Sequence, residues 1–102
     1  MVAQKKEKSL KCERKKRKKS SITIDDKTYY FHKIIWEDIV GDSSIGSTDE
    51  FNKMKTATII SFAYVFKKEN GYLYTFSSYS DDGYFGDRNI IPVGCVKSIH
   101  KY

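Results

Sequence analysis

The sequence has little that would break or cross-link a chain. Its 102 residues include one proline, six glycines and two cysteines. That excludes collagen-like and low-complexity architectures. Cys12 and Cys95 are too few for a disulfide framework, and read as free thiols in a reducing, intracellular setting. No run approaches the roughly 18 apolar residues that a membrane span needs, and no apolar segment follows the N-terminal charges as in a secretory signal. Catalytic constellations are scarce as well. His32 and His100 lie far apart with no cysteine or carboxylate at metal-ligand spacing. Glu37, Asp38 and Asp42 have no nucleophile–base pattern around them. The loop Asp81-Asp82-Gly83-Tyr84-Phe85-Gly86-Asp87 lacks the alternating ligands and distal glutamate of a calcium loop. The expectation is therefore no enzyme, no metal, no cofactor and no membrane.

What the chain has is positive charge at one end and aromatic rings throughout. Residues 1–20 hold ten Lys or Arg against Glu7 and Glu13, a net +8. The other 82 residues hold nine basic and eleven acidic groups, a net −2. The overall +6 thus belongs to the first segment. Met1 to Ser21 shows no apolar periodicity, and dense like charge repels itself, so residues 1–21 read as a disordered basic tail. That segment contains no Pro or Gly and is rich in helix formers, which predicts conditional helix when an anionic partner neutralises it. Residues 22–102 read as one small domain, long enough for a single modest core.

Within that domain 15% of the whole chain is aromatic, and aromatic residues favour half-buried pleated surfaces. Ile22-Thr23-Ile24, the turn Asp25-Asp26-Lys27 and Thr28 to His32 predict a hairpin. Lys33 to Val40 continues it or forms another strand, and Gly41 to Gly46 is a loop. Ser47 with Glu50 three residues on is a capping box, predicting one or two helical turns ending near Met54. Thr56 to Phe66 alternates as a strand, Asn70-Gly71 is a hairpin turn, and Tyr72 to Tyr79 returns. Ser80 to Arg88 is a polar loop. Asn89 to Ile91 is a short strand broken at Pro92, and Val96 to Tyr102 is a last strand. The predicted fold class is all-β with one short helix, either a small SH3-like barrel or a strongly bent antiparallel sheet. By analogy with SH3-like barrels, a single 3₁₀ turn is expected at the Ile91-Pro92 break before the last strand. Phe62, Tyr64, Phe66 and Phe76 are assigned to the core, Trp36 to core or rim packing, and Cys95 to a small buried position.

From Ile34 onward the landmarks resemble a loose group of small phage- and prophage-encoded proteins. They are Trp36-x-Asp38, a short acidic helix around Asp49-Glu50-Phe51, Met54-Lys55-x-Ala57, Ser61-x-Ala63-Tyr64, and Gly86-Asp87-Arg88-Asn89-x-Ile91-Pro92-x-Gly94-x-Val96-Lys97. The resemblance spans about 65 residues. The chain departs from the group at Ile45, where a second Trp is expected, and in its basic extension. The resemblance implies a small barrel in a bacterial cytoplasm and no catalytic residues.

Two binding readings follow. Lys11 and the consecutive run Arg14, Lys15, Lys16, Arg17, Lys18 and Lys19 suit a nucleic-acid backbone, DNA or RNA, where released counterions drive association without base specificity. Specificity would then lie in the domain. Alternatively, the acidic, aromatic domain surface suits a host protein, as an inhibitor would. Tyr79, Tyr84, Phe85 and Arg88, in or beside the polar loop, are the candidates for partner contact. Unpaired sheet edges leave monomer and dimer both open.

Overall fold

The computed structural model describes residues 20–102. The expected tail, its conditional helix and its candidate contacts Lys11, Arg14, Lys15, Lys16, Arg17, Lys18 and Lys19 lie outside the described residues. The domain is an antiparallel β structure with one short helix, as the alternation predicts. Its elements are β1 (Ser21–Ile24), β2 (Lys27–Asp38), α1 (Thr48–Lys53), β3 (Ala57–Glu69), β4 (Tyr72–Phe76), β5 (Ser78–Tyr79), β6 (Phe85–Gly86), β7 (Asn89–Pro92), a 3₁₀ turn at Val93–Cys95, and β8 (Val96–Lys101). Ser21, assigned to the tail from sequence, is already the first residue of β1.

Local chemistry explains the boundaries. Asp25 and Asp26 (φ 49° and 67°) and Asn70 and Gly71 (φ 52° and 82°) are left-handed at both central turn positions. That is the geometry whose twist matches the strands it joins. The capping box forms: Glu50 N donates to Ser47 Oγ (3.1 Å), and Ser47 N to the Glu50 carboxylate (3.3 Å). α1 buries none of its residues, and Phe51 remains 73% exposed. β2 ends at Asp38, whose Oδ1 accepts from Ile39 N (2.9 Å), and Ile39 and Val40 leave the sheet exposed.

The main sheet runs β1-β2-β3-β4-β7, with β8 also on β2. Ser21 to Ile24 pair with Tyr30 to Lys27, and β8 pairs from His32 to Trp36. β1 and β8 therefore lie end to end along one edge of β2, while β3 occupies the other. The 3₁₀ turn stands where the SH3 analogy puts it, pinned by Val93 N donating to Gly71 O (2.8 Å). Of the two predicted forms, the bent sheet is the one observed. The sheet does not close into a barrel: β7 is four residues long and ends at Pro92, which has no N–H to donate, and the turn then carries the chain to β2. Two bulges add bend, one at Phe66, between Val65 opposite Thr75 and Lys67 opposite Tyr74, and one at Lys97.

Side chains alternate across a strand, so β2 feeds both faces of the sheet. Its Ile34, fully buried, packs on the inner face with Ala63 and Leu73, flanked by Trp36, Val65 and Val96. Its Tyr29 packs on the outer face with Ile24 and Phe76, flanked by Ile22, Tyr64 and Phe85. The core assignments from sequence are corrected accordingly. Phe76 is buried and Tyr64 half-buried, but Phe62 and Phe66 are exposed, at 44% and 39%. The inner face is filled by aliphatic residues and alanine with Trp36 beside them, and the row of Phe and Tyr rings points outward, where β1 and the β5–β6 hairpin cover only part of it. Trp36 is half-buried and donates from Nε1 to Ser61 Oγ (3.0 Å), as a rim residue would. Cys95 is half-buried rather than buried.

Ile34→Ala should lower the unfolding free energy by about 2–5 kcal/mol, because it opens a cavity between three strands. Ile60→Ala, at a side chain 56% exposed, should cost less than about 1 kcal/mol. Urea denaturation of both variants checks the contrast.

Candidate functional site

The exposed side chains that matter converge on the outer face of β2, β3 and β8. Phe31 of β2 lies opposite Tyr64 of β3, and Lys33 lies between Phe62 on one side and His100 on the other. The ring centroids of Phe31 and Tyr64 are 4.9 Å apart, those of Phe31 and Phe62 6.5 Å, and those of Phe62 and Tyr102 5.4 Å. Tyr102 is 50% exposed, and the half-buried Ile35 and exposed Ile60, opposite each other, extend the apolar row. This contiguous aromatic patch is not covered by any described element.

The patch continues into a groove. Tyr64 stacks on Phe76 (5.4 Å), which meets Phe85 edge-on (4.8 Å). Beyond them a depression of about 460 Å³ is lined by Phe66, Tyr74, Phe76, Phe85, Arg88 and Ile90, among others. The Phe66 bulge shapes it by bringing the next residue to the outer face, so that Lys67 Nζ sits 4.6 Å over the Tyr74 ring.

The point where the chain joins the domain is beside the patch. Ser20 N donates to Tyr102 O (2.9 Å), Phe31 N to Ser20 O (2.9 Å), and Tyr102 N to Phe31 O (2.8 Å). Those bonds stitch the end of β8 to the start of β1. The covalent continuation toward Lys19 therefore begins next to Tyr102 and Phe31.

Charge is unevenly placed around this face. From Lys27 to Trp36, Ala57 to Lys68 and Val96 to Tyr102 the sequence contains no Asp or Glu, but it does contain Lys27, Lys33, Lys67, Lys68, Lys97 and Lys101. Lys101 pairs with His32 and so belongs to the opposite face, where its Nζ lies 4.3 Å over the Tyr30 ring. Glu37 borders the patch and is bound to Thr56 Oγ1 (2.8 Å), Thr58 Oγ1 (3.0 Å) and Lys97 Nζ (3.2 Å). The threonine hydroxyls, then Lys97, hold its carboxyl below the usual glutamate range. The hydroxyl and amide of Ser44 lower Asp42 in the same way. Both groups are thus fixed as anions, the opposite of a poised general acid. His32 Nδ1 is 2.8 Å from Tyr30 O, and among the described residues no three His, Cys, Asp or Glu converge as a metal site.

The residues singled out for partner contact fall into separate places. Tyr79 (48%) and Tyr84 (72%) are exposed on the β5–β6 hairpin, and Arg88 is exposed at the groove rim. Phe85 is corrected: its ring is half-buried and packs against Phe66 and Tyr29 as well as Phe76, because β6 folds it onto the outer core. Sequence reasoning missed Phe31, Lys33 and Tyr102 altogether. Their parity along the strands was visible, but the pairing that joins them was not.

A lowered glutamate contributes stability above its unfolded pKa, about 4.3, and loses that contribution as pH falls through its folded value. The wild-type protein should therefore exceed Glu37→Gln in urea midpoint near pH 6, and the difference should shrink toward zero by about pH 3. A series of urea melts across that range measures it.

Compared with protein-family models, curated proteins and solved structures, the chain matches none.

Proposed function

We propose that this protein is a non-enzymatic nucleic-acid-binding module, with the basic segment supplying attraction to the phosphate backbone and the domain supplying selectivity. One observation carries the reading: the segment holding Lys11 and Arg14 to Lys19 joins the fold at Ser20, hydrogen-bonded to Tyr102 at the margin of an exposed aromatic patch. Backbone attraction and base contact would then act on one stretch of the same strand. In this reading the protein is an accessory factor of the phage-encoded type at work in a bacterial cytoplasm. The described residues contain no helix long and apolar enough to cross a membrane.

The test is a salt titration. If all six cations of residues 14–19 neutralise phosphates, log affinity should fall with log salt at a slope of roughly −4 on a single strand. Changing all six to Gln in the full chain should flatten that slope and remove most binding at about 150 mM salt. Absence of binding by the wild-type protein at low salt would end the reading.

A second reading has its own observation. Tyr79 and Tyr84 stand exposed on the hairpin beside Asp81, Asp82 and Asp87. The turn is held by Ser80 N donating to Tyr84 O (2.8 Å) and Tyr84 N to Ser80 Oγ (3.1 Å). A basic host protein would meet this acidic, aromatic tip, as an inhibitor's target would. Tyr79→Ala with Tyr84→Ala should then abolish capture of that partner from nuclease-treated host extract, and unchanged capture would remove the hairpin from consideration.

A further inference from the structure

We infer that the nucleic acid is single-stranded, and that unpaired bases stack on Phe62 and Tyr102 while the Arg88 groove receives a further base or its phosphate. The inference rests on the proposed reading and specifies its ligand.

Three features lead there. The first is shape. Phe62 and Tyr102 project from the outer face of a multi-stranded sheet, a surface too broad to enter a duplex groove. In a duplex the base faces are already stacked on one another, so such rings could reach only the backbone and groove edges. In a single strand each base offers a free π-face, and aromatic side chains on a sheet are suited to meet it.

The second is continuity. Ring contacts run without a break from Tyr102 through Phe62, Phe31, Tyr64 and Phe76 to the groove. The exposed rings lie at the Tyr102 end, and the groove lies at the other. A strand laid along this line would find its first stacking partners beside Ser20 and its last at Arg88. A guanidinium there can pair with a phosphate in fork geometry or stack on a base.

The third is charge. Lys33 lies directly between Phe62 and His100 in the register, and Glu37, the carboxylate bordering the patch on β2, is already held by Lys97 and two threonine hydroxyls. Lys67, over the Tyr74 ring at the groove, is paired with Glu69. Net charge over the whole domain is −2, yet a phosphate chain crossing the aromatic patch meets Lys33 between the rings.

The experiment uses the full chain and fluorescence anisotropy at about 150 mM salt, with labelled 20-mers of oligo(dT), oligo(U) and a mixed-sequence duplex. Both single strands, or one of them, should bind at least about tenfold tighter than the duplex. Phe62→Ala with Tyr102→Ala should weaken single-strand binding by about tenfold or more, with duplex affinity and salt slope unchanged. Phe62→Trp should retain it. Both alanines replace exposed side chains, and Tyr102 keeps its backbone bonds, so circular dichroism and the melting temperature should stay near wild type. Arg88→Gln should give a smaller loss on single strands alone. Duplex binding equal to or tighter than single-strand binding, or alanine variants that bind like wild type, would overturn the inference while leaving the proposed reading intact. A concentration-dependent dimer abolished by the same alanines would overturn it too, by assigning the patch to a second copy of the chain. If no oligonucleotide binds at any salt, the reading itself falls first.

Discussion

β2 is hydrogen-bonded along both of its edges, with β3 on one side and β8 followed by β1 on the other. Its 12 residues carry the fully buried Ile34 into the inner core and the buried Tyr29 into the outer one. Both cores therefore hang on a single strand whose alternation must be kept throughout. A one-residue slip would exchange every apolar side chain for its neighbour on the opposite face. The register is fixed at one end by the Asp25-Asp26 turn and at the other by Asp38, which takes the backbone of Ile39 out of the ladder.

Serving two faces from one strand has a consequence for what stays exposed. The inner face is closed by side chains of modest size, Ile34, Ala63 and Leu73. The rings collect on the outer face, where β1 and the β5–β6 hairpin cover the portion around Tyr29 and Phe76. The portion around Phe31 and Phe62 has no such cover. Contiguous exposed apolar surface is less common on small proteins than scattered single residues, and here it is built from rings on adjacent strands. The location matters more than the amount: the uncovered portion lies where β8 ends and the basic segment begins.

What was legible in the sequence was local. Asn70-Gly71, Asp25-Asp26 and the Ser47–Glu50 capping box each act within four residues, and each forms as its chemistry dictates. The strands themselves followed from alternation. Faces and closure were not legible, because they depend on residues far apart in sequence. The Phe66 bulge shifts the alternation of β3 without leaving a mark in its composition. Phe85 reads as part of a polar loop, yet β6 folds its ring against Phe76. Tyr102 looks like an isolated last residue and joins the aromatic patch only once β8 pairs with β2. The partner-contact candidates chosen from sequence within the domain therefore lay in or beside a loop, while the candidate surface is built from paired strands.

The acidity of the domain takes on a different meaning once each carboxylate is located. Asp25, Asp26 and Asp87 occupy left-handed backbone positions, which Asp tolerates better than most residues. Asp38, Asp42 and Glu50 accept backbone hydrogen bonds at a strand end, a loop and a helix start, and Asp49 lies in the first helical turn, where the helix dipole favours an anion. Asp82 accepts from the Ser80 hydroxyl within the β5–β6 turn. Glu37 and Glu69 are matched to Lys97 and Lys67. Nearly every negative charge is thus explained by turn, cap or ion-pair chemistry at the ends of strands. The acidic count measures how many turns the fold contains. It says little about the sheet face between those turns, where Lys33 meets the aromatic residues and Glu37, at the border, is held by Lys97.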